Sequence, residues 1–202
     1  MNYIQICFLT LALALPGAVF SADVDTLSQN CNDCHGPQGV STDSDMPSIA
    51  GQTAQYIADT LSLYQEWGRP CRKSPYRHGD TSRPVTSMCE LAAGLGNDDI
   101  EALSNYYAEL PFVAAQQQFD ATKAAAGAQL YAIHCESCHP QGGSVSGLGP
   151  ILAAQWMPYL KAAMHEALTG EHLVPPLMEK PLADFSDEEI EALMNFFGGQ
   201  QD

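Results

Sequence analysis

Apolar residues recur at three- and four-residue spacing in six segments of this chain, which is the pattern of amphipathic helices. The segments form two sets of three, residues 23–30, 53–66 and 98–109, followed by residues 121–133, 156–168 and 187–197. Ser186 with Glu189 is typical of a capping box at the start of the last segment, and Gly96 with Asp99 is a weaker version of it. No strand pattern of any length competes with these segments. The sequence therefore predicts an all-α fold.

The two sets of segments align with each other as one repeated unit. Residues 47–52 match residues 150–155 at an offset of 103, and residues 99–103 match residues 189–193 at an offset of 90. The repeated unit has roughly 80 to 90 residues, which suits a small single-core domain. The alignment predicts two tandem domains related by duplication, residues 23–110 and 121–202, joined by a helix-poor linker at 111–120.

The chain begins with an apolar run at residues 4–15, which has the length of a signal-peptide core and is too short to span a bilayer. Small residues follow it, so we interpret residues 1–22 as a signal peptide that is cleaved near residue 21 or 22 and directs the protein to the periplasm. A retained amino-terminal membrane anchor is the alternative. No other segment approaches transmembrane length, so no stable membrane insertion is expected.

Charge narrows the choice of partners. The chain has 24 acidic and 8 basic residues, which gives a formal net charge of −16. A surface this acidic rules against nucleic acid or anionic lipid as the main partner.

The candidate chemistry lies in two Cys-x-x-Cys-His motifs, at residues 31–35 and 135–139. Two thiols three positions apart can add to the two vinyl groups of one haem, and the adjacent histidine then ligates the iron. A single Cys-x-x-Cys could belong to a thiol–disulfide motif or a zinc site, but two copies in matching contexts favour haem. We therefore predict two covalent haems c, attached at Cys31, Cys34, Cys135 and Cys138, with His35 and His139 as axial ligands.

The repeat also indicates the sixth ligand of each iron. Met88 and Met178 occupy equivalent positions, and a thioether stabilises reduced iron. The methionines without a counterpart are interpreted as core residues; they are Met46, Met157, Met164 and Met194. A Cys89 thiolate remains an alternative in the first copy. His165 or His172 remains an alternative in the second.

Cys7 lies in the predicted signal peptide, so Cys71 and Cys89 are left as an even pair in the mature chain, which in an oxidising compartment favours a disulfide. Closing that loop would contribute about 3 kcal/mol of chain entropy. The carbonyls of Pro47 and Pro150, at equivalent turns, are candidate acceptors for the second ring nitrogen of the two ligating histidines. Both are equally compatible with plain turn prolines.

The chain resembles the class I dihaem cytochromes c, particularly the c-four type, over nearly its whole mature length. The resemblance rests on the two motifs, on Ala50-Gly51-Gln52 followed by Tyr56, on residues 67–69, and on the stretch 88–107. It implies two cytochrome c folds with facing haems, and a role as a periplasmic electron carrier rather than an enzyme.

The second half departs from this family, since Pro140 follows its motif and Ala154 replaces the turn glycine. Residues 118–120, 154–160 and 178–180 are more similar to the cytochrome subunit of flavocytochrome c sulfide dehydrogenase. That resemblance implies a flavoprotein partner in place of free redox partners such as a terminal oxidase. A dihaem enzyme, a thiosulfate dehydrogenase or a peroxidase, is a third hypothesis, and it requires an open or unusually ligated iron.

The first copy has extra residues between its motif and Met88. This loop, residues 69–83, holds five of the eight basic residues and one acidic residue, Asp80. It is either a solvated loop whose charges balance nearby haem propionates or a docking patch for a redox partner.

Overall fold

The computed structural model describes residues 23–201. The predicted signal peptide, residues 1–22, lies outside the described residues. The helices are α1 (Val24–His35), α2 (Ala54–Gln65), α3 (Met88–Ala93), α4 (Asn97–Glu109), α5 (Ala121–His134), α6 (Met157–Leu168), α7 (Pro176–Ala183) and α8 (Asp187–Gly198). The described residues contain no strand and only one isolated bridge, between Ser74 and Thr86. The all-α prediction is confirmed. None of the helices in this part of the chain has the length and apolar character needed to cross a bilayer.

Each copy contains a fourth, short helix that the sequence pattern did not predict. Helix α3 has 6 residues and α7 has 8, which is too short for a helical period to stand out. Helix α3 begins where the Ser87 hydroxyl accepts a hydrogen bond from the Glu90 N–H. Helix α7 begins at Pro176, which lacks an N–H and so leaves none unsatisfied at a helix start. These two helices carry Met88 and Met178.

The expected helices are present, but α1 does not end at residue 30 as predicted. It continues through the first motif to His35. Asn32 and Asp33 have a weak intrinsic preference for the helix. Tertiary contacts override that preference, because the buried Tyr107 hydroxyl donates to Asn32 Oδ1 (2.9 Å) and Arg83 forms an ion pair with the buried Asp33 carboxylate.

The hydrophobic core divides into two clusters, one in each copy. The first is built from helices α2, α3 and α4 around Leu103 and Tyr107, which are 1 % exposed. The second is built mainly from α5, α6 and α8 around Leu193 and Phe197, which are 0 % and 1 % exposed. Two cores in one all-α chain agree with the predicted tandem cytochrome-like domains.

The same backbone hydrogen bonds recur in both copies. The N–H of Gly51 donates to the carbonyl of Tyr107 at 2.9 Å, and the N–H of Ala154 donates to the carbonyl of Phe197 at 2.8 Å. In each copy this bond fastens the turn after the haem motif to the last helix. The hydrogen bond that positions this turn is therefore repeated in the two copies, as the sequence pattern is.

The turn takes a left-handed backbone conformation in both copies, with φ of 75° at Gly51 and 52° at Ala154. A Cβ at Gly51 would lie 2.5 Å from the backbone nitrogen of Phe112. Ala154 already accommodates its Cβ while almost fully buried. The two equivalent positions therefore differ in the space around them.

We predict that Gly51→Ala lowers the free energy of unfolding by about 2–4 kcal/mol, since left-handed strain and a backbone overlap add. Ala154→Gly should change it by less than about 1 kcal/mol, because relief of strain offsets the lost methyl group and the added chain entropy. Urea unfolding of both variants measures the difference. If Gly51→Ala and Ala154→Gly lowered the free energy of unfolding equally, the proposed difference in space at the two positions would be wrong.

Candidate functional site

The first motif lies on the last turn of α1. Cys34 and His35 are buried, and Cys31 packs against the first core cluster together with Met88. The structure thus brings a predicted attachment cysteine and the predicted sixth ligand to one apolar cluster.

The second motif follows α5 as a turn. The N–H of His139 donates to the carbonyl of Cys135 at 2.9 Å, which continues the helical path by one turn. Cys135 packs against the second core cluster, and His139 is buried. Gly149 lies so close to the His139 ring that a side chain there would overlap the imidazole.

Both histidines are fixed in the same way. Nδ1 of His35 lies 2.9 Å from the Pro47 carbonyl oxygen, and Nδ1 of His139 lies 2.9 Å from that of Pro150. Because a carbonyl only accepts, each Nδ1 carries the proton and each Nε2 keeps a free lone pair. Burial also lowers the pKa of both imidazoles. The proline carbonyls expected as acceptors are confirmed in that role, and the histidines are neutral and available as metal ligands through Nε2.

The motif cysteines are unbridged. Burial raises the pKa of Cys31 and of Cys135 to about 11, and it also raises the pKa of Cys34. A thiol–disulfide oxidoreductase needs a lowered thiol pKa, so these sites do not fit that chemistry. Unbridged thiols beside an oriented imidazole fit the covalent attachment of a haem.

A buried tyrosine hydroxyl anchors each motif, and the sequence comparison of the copies did not find this. In the first copy the hydroxyl of Tyr107, on α4, donates to Oδ1 of the motif residue Asn32 at 2.9 Å and also lies 3.2 Å from the Ser28 carbonyl oxygen. In the second copy Tyr131, on α5, donates to the His139 carbonyl at 2.5 Å. The two tyrosines are not equivalent in the repeat, so alignment of the copies could not pair them.

The candidate sixth ligands are placed differently in the two copies. Met88 starts α3 and packs against the first core. Met178 lies on α7, is half-buried, and is not among the residues that pack against the second cluster. Met157 and Met164 pack against that cluster and Met194 belongs to it, which confirms their interpretation as core residues. Ligation by Met88 and Met178 stays a prediction.

Two alternative ligands are weakened. Cys89 is bonded to Cys71 in a disulfide with a Cα–Cα distance of 5.4 Å, so its sulfur is not a free thiolate. This bridge also ties the inserted loop to α3 directly beside Met88. His165 is exposed on α6.

The inserted loop, residues 69–83, uses its charges within the molecule. Four of its five cations form ion pairs: Arg72 with Glu166 and Glu171, Lys73 with Glu90, Arg77 with Asp43 and Asp45, and Arg83 with Asp33. Backbone N–H groups of Arg77 and His78 also donate to the Asp33 carbonyl at 2.8 and 2.9 Å. The loop is therefore built onto the first motif, and carboxylates of this chain balance its charges.

Two glutamines join the copies by reciprocal hydrogen bonds. Gln52 donates to the Ile151 carbonyl at 3.1 Å and accepts from the Ile151 N–H at 2.9 Å. Gln155 donates to the Ser48 carbonyl at 2.5 Å and accepts from the Ser48 N–H at 3.1 Å. Ser48 and Ile151 directly follow the two prolines that hold the histidines. Each copy therefore braces the histidine-orienting turn of the other.

Comparison with known proteins finds similarity to c-type cytochromes. The family model described as "Cytochrome C oxidase, cbb3-type, subunit III" matches residues 122–197. Cytochrome c4 of Thiocapsa roseopersicina is 28% identical over 182 residues, which cover 84% of this chain and 86% of that protein.

Two solved structures are similar in fold. Reduced cytochrome c4 of Pseudomonas stutzeri superposes with a TM-score of 0.69 at 22% identity, over 89% of this chain and 100% of that one. A thiosulfate dehydrogenase of Marichromatium purpuratum superposes with a TM-score of 0.64 at 27% identity, over 83% of this chain and 36% of that one.

We predict that Gln52→Ala or Gln155→Ala lowers the free energy of unfolding by about 2–3 kcal/mol, because each leaves a buried N–H and a buried carbonyl unpaired. Gln55→Ala is the matched control, since Gln55 is exposed and bonds only Asp59 on its own helix. Its effect should stay within about 0.5 kcal/mol. If Gln52→Ala and Gln55→Ala unfold at the same urea concentration, the reciprocal bonds do not stabilise the junction.

Proposed function

We propose that the chain is a dihaem class I c-type cytochrome and a periplasmic carrier of single electrons, with one haem c at each Cys-x-x-Cys-His motif. The observation that supports this most directly is the duplicated geometry of His35 and His139. Each ring is buried, neutral and held by a proline carbonyl so that Nε2 is left for iron.

The bound haem supplies a one-electron couple at its iron. The residues of the chain hold and tune it. The motif thiols fix the group covalently, and the hydrogen bond at Nδ1 fixes the ring orientation and raises the basicity of Nε2. Met88 and Met178 are the proposed second ligands, and a neutral thioether there favours the reduced state.

Two protein ligands at each iron, a histidine and a methionine, would leave no position for a substrate. The disulfide at Cys89 and the exposure of His165 both support methionine as the sixth ligand. Electron transfer is therefore the function we propose, in preference to a dihaem peroxidase or a dihaem thiosulfate dehydrogenase.

The Cys71–Cys89 disulfide supports a periplasmic location, since such bridges persist in oxidising compartments. The predicted signal peptide at residues 1–22 points the same way. The proposed partners are redox proteins, with a terminal oxidase as one candidate acceptor.

The second candidate function is that of a permanent subunit of an enzyme complex. The likeness to a thiosulfate dehydrogenase favours an electron-accepting subunit of such an enzyme, and the flavoprotein partner suggested by the sequence is the other possibility. Purification of the native protein decides between them. A free carrier elutes alone, whereas a subunit elutes with a second protein, and bound flavin would identify a flavoprotein.

We predict that the mature protein carries two haems that acidified solvent does not extract, because both motifs are intact and both histidines are oriented. Intact-mass spectrometry gives the number of haems. Cys138→Ser should leave the second haem with one thioether bond, while the first keeps both. Two thioether bonds to the second haem in this variant would contradict the assignment of Cys138 as an attachment residue.

Both haems are expected to be low-spin and to show the far-red sulfur-to-iron charge-transfer band when oxidised. Met88→Ala should remove the part of this band's intensity that comes from one haem, and Met178→Ala should remove the part that comes from the other. Met164→Ala, a core methionine of the second copy, should leave the band intact and affect only stability. A full band in Met178→Ala together with a loss in Met164→Ala would reassign the second ligand.

A further inference from the structure

The two copies differ in what covers their last helix. In the second copy, residues 117–126, which are the end of the linker and the start of α5, lie against α8. The Asp120 N–H donates to Asn195 Oδ1 at 2.7 Å, and Lys123 Nζ lies 3.5 Å from a carboxylate oxygen of Glu191. Asn195 is only 5 % exposed beneath this segment. A polypeptide segment therefore covers one face of the last helix in the second copy.

The mature first copy has no counterpart of this covering segment. The two haem motifs differ by 104 positions, so the counterparts of residues 117–126 are residues 13–22. Those residues belong to the predicted signal peptide, and cleavage near residue 21 or 22 removes them. Helix α1 begins at Val24, whose counterpart Ala128 lies well inside α5. The equivalent face of α4 is therefore left uncovered in the mature chain.

The residues that hold the cover are nevertheless present in the first copy. At the offset of 90, Glu191 and Asn195 correspond to Glu101 and Asn105 on α4. Both residues of the first copy are exposed, and Glu101 takes part in none of the ion pairs found among residues 23–201. The first copy thus has an exposed amide and an exposed carboxylate at the positions that bind the cover in the second.

A groove with a volume of about 330 Å³ lies between α2 and α4, and Glu101 and Asn105 line it. Small side chains leave this space: Ala54, Ala58 and Ser104 stand where the second copy has Met157, Lys161 and Met194. Ser104 lines the groove and is 2 % exposed, and its hydroxyl oxygen has no hydrogen-bond partner in the described part of the chain. A buried hydroxyl without a partner is unfavourable, so an occupant that brings a polar group to the groove would bind there with a gain in free energy.

The charge beside the groove favours one kind of occupant. Asp98 and Asp99 lie within one turn of Glu101 on α4. A second copy of this chain, packed through the same face, would bring these carboxylates together, and like charges across an interface are unfavourable. A basic segment is attracted instead, and the second copy contains such a pairing, between Glu191 and Lys123. The occupant expected here is therefore a polypeptide segment with a lysine or an arginine.

We propose that the groove between α2 and α4 is a docking site for a basic segment of a partner protein, which takes the place on the first copy that residues 117–126 take on the second. A backbone N–H of the segment bonds the Asn105 amide oxygen, and its basic side chain pairs with Glu101. A further side chain enters the groove beside Ser104. The inference goes beyond electron transfer and depends on the proposed function only through the removal of the signal peptide.

The test titrates a synthetic peptide with the sequence of residues 113–127 into the mature, haem-loaded protein by isothermal calorimetry. Saturable binding to the wild type is expected. Glu101→Lys should weaken binding about tenfold, because repulsion replaces attraction. Asn105→Ala should weaken it about fivefold, because the acceptor is lost. Glu188→Lys makes the same change of net charge at an exposed position of α8 and should bind like the wild type.

A charge exchange makes this test specific for Glu101. A peptide in which Lys123 is replaced by Glu should bind the wild type weakly and regain affinity for Glu101→Lys. If the original peptide shows no saturable binding, or if the wild type and Glu101→Lys bind it equally, the docking site is wrong.

Two measurements on the native protein test the other occupants. Intact mass should show a chain that begins near residue 22 or 23, and sedimentation velocity should show a monomer. Retention of residues 1–22 would assign the groove to the amino-terminal segment of the chain itself, and a dimer that Glu101→Lys dissociates would assign it to a second copy. Either result would overturn the partner assignment. Electron transfer is judged separately, by the number of covalent haems.

Discussion

The hydrogen bond between Nδ1 of a motif histidine and a proline carbonyl is the interaction on which the rest of this structure depends. It selects the tautomer that leaves the Nε2 lone pair free, once at His35 and once at His139, the two proposed iron ligands. The carbonyl has to be held firmly for this purpose. The turn that presents it is bonded to the last helix of its own copy and to a glutamine of the other copy. Orientation of each candidate ligand is therefore a property of the pair of copies.

The basic residues of the chain are concentrated near the first of the two motifs. An acidic chain with 8 basic residues places five of them in one loop, and four of those five pair with carboxylates from several parts of the molecule. Exposed pairs of this kind contribute little individually. Arg83 is different, because it meets the buried Asp33 carboxylate within the first motif and lies 3.5 Å from the centre of the Tyr76 ring. The loop therefore covers the first motif, and its remaining cation, Arg69, is buried with its guanidinium 5.1 Å from the centre of the Tyr64 ring.

The copies differ in how they hold the helix that carries the proposed methionine. In the first copy, the Cys71–Cys89 disulfide clamps the inserted loop to α3 next to Met88, and Ser87 caps the helix. In the second copy α7 has a proline start and no disulfide. An electron carrier gains from a rigid ligand set, because reorganisation at the iron then stays small. The two copies therefore differ in the covalent and hydrogen-bonded restraint of this helix despite their common origin.

The sequence by itself determined the all-α class, the duplication and the paired motifs, because helical periodicity and ligand spacing are local and a repeat reveals equivalent positions without coordinates. It predicted the proline carbonyls as acceptors for the same reason. It missed α3 and α7, which are shorter than the period needed to recognise them. It also ended α1 too early, since contacts of Tyr107 and Arg83 with the motif lie 50 or more positions away. Only the tertiary structure showed the reciprocal glutamine bonds, the tyrosine anchors and the burial of Arg69. Each of these joins residues that are distant in the chain, and whether a buried polar group has a partner is decided by three-dimensional packing.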